Sequence, residues 1–572
     1  MACRIDVQLA HIVSILRLTI FLIVTCLTPL CGRAETPVSL TTANVKNMVL
    51  TSFLPLDWAE VEASTPVTSS GALFILTGFP HELIAIDLAN GAKPSVKWRI
   101  RPEAKAWAAS LACCGKIDNG PTQAGSELYL TTLDGQVSGV DATSGEIRWT
   151  QSIADPARGE TFTSPPTVVK NRVLVGGSGG DYGARGWIAA LARRDGVVLW
   201  RKYSTGTDAE VGIGERFATQ EDLGIRTWSP ESWKTGGGSV EGPILFDPVT
   251  GMLFHTTGHP APWNPDTRGG DNKWTSGLFA RDLATGEAQW FRGFNPQNPV
   301  FFGSAGANLV VDWKWQGKSR ALLIHVDPNG FLYVLDRSTG EILAADSFLP
   351  ANLLKGIDRV SGEARYDTER MPTTNNQIRN LCPAWDGATG GLAAGSDSGI
   401  LVLPVSRLCM DIEPRQANFI AGTPFIGANI RVKLSPEGTA AGLIGWSLDE
   451  RKPLWRIDEA LPLAGDPLVT ESGIVFYGTI DGTLKAVDIH TGEPLWSTPL
   501  SPGIMSRPIL FALPQGKQAL AVVAGPGRVH GMNFRQGMDS RDATAGLGMA
   551  AVFAPTMSKA EGKTALYVFG LP

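Results

Sequence analysis

The chain reads as an all-β protein in which short antiparallel strand units stack around a common axis, like the blades of a propeller. A motif that recurs along the chain supports this reading, and so does the scarcity of helical periodicity between its copies. Full copies are Asp141–Trp149 (DATSGEIRW), Asp282–Trp290 (DLATGEAQW) and Asp488–Trp496 (DIHTGEPLW). Weaker copies are Arg194–Trp200 (RDGVVLW), Asp336–Leu343 (DRSTGEIL) and Leu448–Trp455 (LDERKPLW), and Asp87–Trp98 is a stretched one.

Each copy has the same order of parts. A short apolar strand such as Gly330–Leu335 (GFLYVL) comes first. In the turn that follows, Asp and Thr bond the local backbone and Gly supplies a positive φ. A second strand then carries the Trp. Upstream lies a further strand that ends in an Asp-Gly turn, as at Asp134-Gly135 and Asp481-Gly482. Such a unit cannot bury both faces alone, so the copies must stack, and the recurring tryptophans are packing residues between neighbours. The spacing breaks between Asp336 and Leu448, a gap expected to hold at least one divergent blade plus insertions. Residues 530–572 show no clear repeat; they either close the last blade or are partly disordered.

The net charge of −5 gives no basic surface for nucleic acid. Arg4 and Arg17 flank the start of an apolar run, Leu18–Leu30, and the small residues Gly32 and Ala34 precede Glu35. This pattern predicts a signal peptide over residues 1–34 and export to the periplasm, leaving 35–572 as one propeller domain. The run falls short of the roughly 20 apolar residues of a membrane span, and no later stretch reaches that length. Four of the seven cysteines lie beyond the leader: Cys113, Cys114, Cys382 and Cys409. An even count in an oxidising compartment suggests two disulfides. The sequence has no Cys-x-x-Cys and no His-Glu-x-x-His, so thioredoxin-like, haem-attachment and zincin chemistry have no support.

Longer motifs bring a family into view. Residues 227–239 (TWSPESWKTGGGS), 262–266 (PWNPD), 271–276 (DNKWTS), 329–337 (NGFLYVLDR) and 408–414 (LCMDIEP), with the adjacent pair Cys113-Cys114, resemble the PQQ-dependent (quinoprotein) alcohol dehydrogenases of the methanol/ethanol dehydrogenase type. The resemblance runs over residues 36–530. It implies an eight-bladed quinoprotein alcohol dehydrogenase-like β-propeller with pyrroloquinoline quinone (PQQ) at the axis and Ca²⁺ or a lanthanide beside it. It also implies oxidation of small primary alcohols, with electrons leaving to a cytochrome c. Cys113 and Cys114 would form a vicinal disulfide at the quinone, Cys382 and Cys409 a structural one. Thr163, Ser178, Gly179, Gly180 and Ser239 fit cofactor-contacting positions.

Several positions depart from the family pattern. Asp181 stands where the family has a metal-ligand Glu, and His259 where it has a metal-ligand Asn. As plain structure, Asp181 is a turn aspartate on a Gly-rich loop and His259 a partly buried, hydrogen-bonded histidine. Imidazole is a poor partner for a hard cation. Glu241 replaces the Trp that stacks on the quinone. No Asp or Glu occurs from Phe291 to Val311, so the position of the proton-accepting Asp falls near the non-acidic Phe301. Glu241 and Asp386 are the candidate substitutes. Pro328 replaces an Arg or Lys that faces the quinone, and Lys116 lies near enough in sequence to the cysteine pair to compensate in charge.

Three functions compete on these residues. The first is a working PQQ alcohol dehydrogenase with a substitute base. The second is a non-catalytic periplasmic propeller, a pseudoenzyme that binds a partner protein or a modified cofactor. The third, an outer-membrane assembly factor, has the dehydrogenase-like motifs against it.

Overall fold

A computed structural model of the chain describes residues 39–58, 65–69, 71–88, 93–111, 120–215, 221–300, 302–303, 306–384, 392–395, 398–500, 503–513, 516–526, 528–529, 532–533, 552 and 563–572. Among these, eight four-stranded antiparallel sheets follow one another along the chain. They are blades I (67–100), II (122–152), III (167–203), IV (245–293), V (308–347), VI (393–459), VII (468–499) and VIII (509–570 with 49–55). Blade VIII takes its outermost strand, Val49–Pro55, from the N-terminal side, paired with Ala565–Gly570. This pairing fastens one end of the described chain to the other.

Burial explains why the sheets form a ring. Their middle strands are apolar on both faces, as in Ala72–Leu76 and Trp187–Ala192, so each needs cover on two sides. Eight hydrophobic clusters each join two neighbouring blades. They run from Phe74 with Leu128 between blades I and II, round to Leu73 with Val568 between blades I and VIII. Among the described residues, each of the eight blades thus packs against a neighbour on both faces.

The repeated motif has a direct physical reading. The Trp of one blade lies on the turn glycine of the next, so a Cβ on Gly145, Gly196, Gly286, Gly340 or Gly492 would come within 2.9 Å of an indole atom. These glycines also hold φ between 71° and 77°. The indole N–H of Trp149, Trp200 and Trp455 donates to a carbonyl of the same turn, at 3.1, 3.2 and 2.7 Å. In seven blades the third strand slips one register position against the fourth, close to the Trp position, the kind of bulge that re-aims a side chain.

Among the described residues, the gap between Asp336 and Leu448 holds no separate blade, contrary to the expectation. It contains the last strand of blade V, the hairpin Leu354–Ile357/Ala364–Tyr366, a three-stranded sheet (Ile378–Leu381, Leu408–Pro414, Ala428–Leu434) and the first three strands of blade VI. The remaining blade carries no copy of the motif, because it is assembled from both ends of the chain. Residues 565–570 do close it.

Blade IV buries a charged group without a carboxylate partner. Arg281 is fully buried, its Nε donates to His255 Nε2 at 2.8 Å, and its Nη1 donates to the carbonyls of Val211 and Gly286. Burial, then the adjacent guanidinium, hold His255 well below the usual imidazole value of 6.5. Burial also lowers His81. The unfolded chain therefore binds more protons than the folded one below that value, so stability is present above pH 6.5 and falls as the pH drops through it. Thermal melts between pH 7 and pH 5 should show a falling Tm, in a window above most carboxylate titrations. A flat profile would contradict the neutral burial of both imidazoles.

Candidate active site

Strand order decides where the candidate residues meet. In a blade of four antiparallel strands, the segment entering the first strand and the turn between the second and third lie at the same end. Thr163 enters blade III, and Ser239 and Glu241 enter blade IV. Ser178–Asp181 form the inner turn of blade III, and His259 and Trp263 lie in that of blade IV. All of them therefore sit on one face of the ring.

The loops on that face are stitched together by hydrogen bonds. Ser178 Oγ donates to the Thr161 carbonyl at 3.0 Å, and the Gly180 N–H donates to Ser239 Oγ at 3.0 Å. The Val240 N–H reaches the Gly177 carbonyl and the Gly258 N–H the Ser239 carbonyl, at 3.0 and 2.7 Å. Gly179 has φ 109°, and a Cβ there would stand 1.9 Å from the Gly159 carbonyl oxygen, so only glycine allows this approach. The Ser164 hydroxyl donates to the Glu241 carbonyl, which puts Glu241 beside Thr163. The Glu241 side chain is exposed.

Asp181 is the centre of a tight polar cluster. Its Oδ1 accepts the Trp263 indole N–H at 2.8 Å and His259 Nε2–H at 3.0 Å. The His259 and Trp263 rings meet edge to face, with centroids 6.1 Å apart. The loop after Pro414 covers the cluster: the Phe425 N–H donates to the Asp181 carbonyl, and the Trp263 N–H to the Ile426 carbonyl at 2.6 Å.

Beside this cluster lie groups that the sequence did not single out. Arg268 is fully buried, and its guanidinium bonds the carbonyls of Pro262, Trp263, Gln297 and Asn298 and the Asn272 amide oxygen. Burial pulls its pKa down to about 9. Asp327, in the inner turn of blade V, accepts both bonds from Asn295 Nδ2 (3.0 and 3.2 Å), one from His325 Nε2 (3.2 Å) and one from the Asn329 N–H (2.9 Å). Asn329 Nδ2 also donates to Asn295 Oδ1 at 2.9 Å. Pro328 sits between Asp327 and Asn329 in this rigid turn. The one available signal was the Asp-x-Asn-Gly spacing at 327–330, which reads as a turn and does not announce its buried partners.

Cys382 and Cys409 are joined by a disulfide with Sγ–Sγ 1.98 Å. Cys113, Cys114, Lys116, Phe301 and Asp386 lie outside the described residues.

Comparison with known proteins decides the family. A family profile described as "Glucose/ethanol/alcohol dehydrogenase, beta-propeller domain" matches residues 55–386. The chain is 34% identical over 526 residues to the lanthanide-dependent methanol dehydrogenase of Methylacidiphilum fumariolicum (strain SolV), covering 88% of this chain and 85% of that one. The chain belongs to the PQQ-dependent alcohol dehydrogenase family. This dehydrogenase-family propeller is also 33% identical over 513 residues to methanol dehydrogenase [cytochrome c] subunit 1 of Paracoccus denitrificans, covering 86% of this chain and 80% of that one. A solved europium-containing methanol dehydrogenase superposes with a TM-score of 0.88 at 33% identity, over 93% of this chain and 95% of that one. A second profile, "Outer membrane protein assembly factor BamB", matches residues 431–564.

The two groups that the family implies fare differently against these residues. Thr163 Oγ1 is buried with no hydrogen-bond partner among the described residues. Such a hydroxyl costs stability unless something polar meets it, so it fits the polar rim of a bound quinone. The cation does not fit. Ca²⁺ and similar ions take 6–8 oxygen ligands, carboxylates above all. Among the described residues no group of three or more His, Cys, Asp or Glu side chains is placed to hold a metal. The sequence itself rules out a carboxylate from 291 to 311.

Proposed function

We propose that the chain is an exported, PQQ-binding propeller that keeps its family's cofactor pocket and has lost efficient alcohol oxidation. The buried hydroxyl of Thr163, without a partner among the described residues, carries the first half of this reading. PQQ, when bound, supplies a two-electron acceptor for the hydride of an alcohol. Thr163 would donate its hydroxyl proton to the cofactor, and Cys113 and Cys114 would lie against its ring, as the family resemblance implies. Ser178, Gly180 and Ser239 set the shape of the pocket by fixing the loop backbones on which it is built.

Three replacements support the second half. Glu241 offers no stacking surface, Pro328 offers no cation to a developing oxyanion, and 291–311 offers no proton acceptor. The leader at 1–34 supports export to the periplasm, where a cytochrome c or another periplasmic protein would be the partner. Among the described residues no helix is long and apolar enough to cross a membrane.

The test is a PQQ titration of the purified chain, followed by cofactor absorbance and thermal stabilisation. Thr163→Val keeps the shape and removes one hydrogen bond, so its affinity should fall about 3- to 10-fold. No binding by the unmodified chain, or equal binding by the variant, would overturn the assignment of Thr163 to the cofactor.

A further inference from the structure

We infer that the cofactor pocket of this chain works without a metal ion: Asp181, at the position where its family places a cation ligand, is committed to a hydrogen-bonded cluster with His259 and Trp263. Three independent features point this way.

The first is the direction of the dipoles around the carboxylate. Asp181 Oδ1 receives two N–H groups, from Trp263 Nε1 at 2.8 Å and His259 Nε2 at 3.0 Å. Both turn the positive end of their dipole toward the carboxylate, and both are held on the same oxygen. Indole nitrogen is a donor only, so Trp263 cannot become a ligand in exchange.

The second is rigidity. A hydrogen-bonded carboxylate serves a metal if its partners can swing away, and here each partner is pinned through its backbone. The Trp263 N–H donates to the Ile426 carbonyl at 2.6 Å, and the Trp263 carbonyl accepts from the buried Arg268 at 3.4 Å. The His259 carbonyl accepts the Gly238 N–H at 2.8 Å, and the Asp181 carbonyl accepts the Phe425 N–H at 2.5 Å. Freeing Asp181 for an ion would disturb the loops at 236–241, 258–268 and 415–427 together.

The third is ligand supply. A hard cation gathers carboxylates, and Asp181 has no carboxylate neighbour in a metal-holding group among the described residues. A softer ion on Asp181 and His259 would have two protein ligands, where stable sites use three or four. The cluster thus occupies the cation's place with N–H donors around one carboxylate. Its meaning for the cofactor rests on the PQQ-binding reading above, whereas ion exclusion itself does not.

The experiment reads the two separately. Tb³⁺ is titrated into the cofactor-free full chain, and emission sensitised by tryptophan is recorded, since an ion at Asp181 would lie beside the Trp263 indole. Ca²⁺, La³⁺ and Zn²⁺ are then counted per chain by equilibrium dialysis and mass spectrometry, for the unmodified chain and Asp181→Asn. PQQ affinity is measured in EDTA and with each ion.

The inference expects no Asp181-dependent emission, no stoichiometric ion, and a PQQ affinity changed by less than about twofold by any ion. Emission that persists in Asp181→Asn marks an ion elsewhere and also supports it. Emission abolished by Asp181→Asn, an ion counted in the unmodified chain and lost in Asp181→Asn, or a PQQ affinity raised about tenfold or more by Ca²⁺ or La³⁺ would overturn it. The absence of a bound ion in the unmodified chain, or a PQQ affinity that depends on the ion, decides the matter even if the variant fails to fold. Failure of PQQ to bind under every condition would remove the proposed function and leave the ion result standing.

Discussion

Replacing Arg268 by Ala should lower the unfolding free energy by about 3–5 kcal/mol, near the top of the range for single substitutions. The reason is the number of acceptors that depend on one side chain. Arg268 is fully buried and serves four backbone carbonyls and the Asn272 amide oxygen. Two of those carbonyls belong to Pro262 and Trp263 in the inner loop of blade IV, and two belong to Gln297 and Asn298 in the segment that enters blade V. The guanidinium therefore rivets together the inner loop of blade IV and the segment that enters blade V. Lys in its place has one compact ammonium group and cannot span acceptors on both sides, so Arg268→Lys should recover less than half of the loss. Urea unfolding followed by tryptophan fluorescence gives the number. Because Trp263 would lose its anchor, PQQ affinity should fall in the same variants even where they stay folded. A stability change below about 1 kcal/mol would mean that water replaces the guanidinium without cost, and the rivet would have to be abandoned.

Arg268 also shows what the sequence discloses and what it conceals. The repeat disclosed the blades because each copy carries its own packing logic: a turn glycine, a bulged strand and a Trp that covers the next glycine. Those contacts join residues 34 to 86 positions apart, such as Trp455 with Ile489 and Trp200 with Gly286, but they recur, and recurrence is readable. The pairing of Val49–Pro55 with Ala565–Gly570 does not recur, so the repeat gave no sign of which strands make the last blade, and the gap after Asp336 was expected to hold more than it does. The same contrast holds at the site. Asp181 and His259 were legible by position, 78 residues apart in the chain. What joins them was not, because Trp263 looked like one more member of a motif and gave no sign that its N–H would take the carboxylate. The network of Asn295, His325, Asp327 and Asn329 draws on two loops of ordinary composition, and only the fold brings them together.

On the proposed function, a missing proton acceptor sets the largest expected effect on activity. Alcohol oxidation by hydride transfer needs a group to take the hydroxyl proton, and a positioned base contributes about 10²–10⁴ in rate. From Phe291 to Val311 the chain has no carboxylate, and the Phe301 position cannot accept a proton. Dye reduction driven by methanol or ethanol should therefore run slower by at least that factor than in a lanthanide-dependent methanol dehydrogenase assayed alongside. Phe301→Asp alone should recover less than about tenfold of it, because Pro328 still supplies no positive charge to the oxygen where negative charge develops. The exposed Glu241 carboxylate is what could defeat this expectation, since its backbone is bonded to Ser164, next to Thr163. A rate within about tenfold of the relative, abolished by Glu241→Gln with PQQ affinity unchanged, would move the base to Glu241 and make the chain a working dehydrogenase with a relocated proton acceptor. A slow rate that Glu241→Gln leaves unchanged would mean that the pocket holds a quinone it can no longer use on alcohols, and that the fold is kept for what it binds.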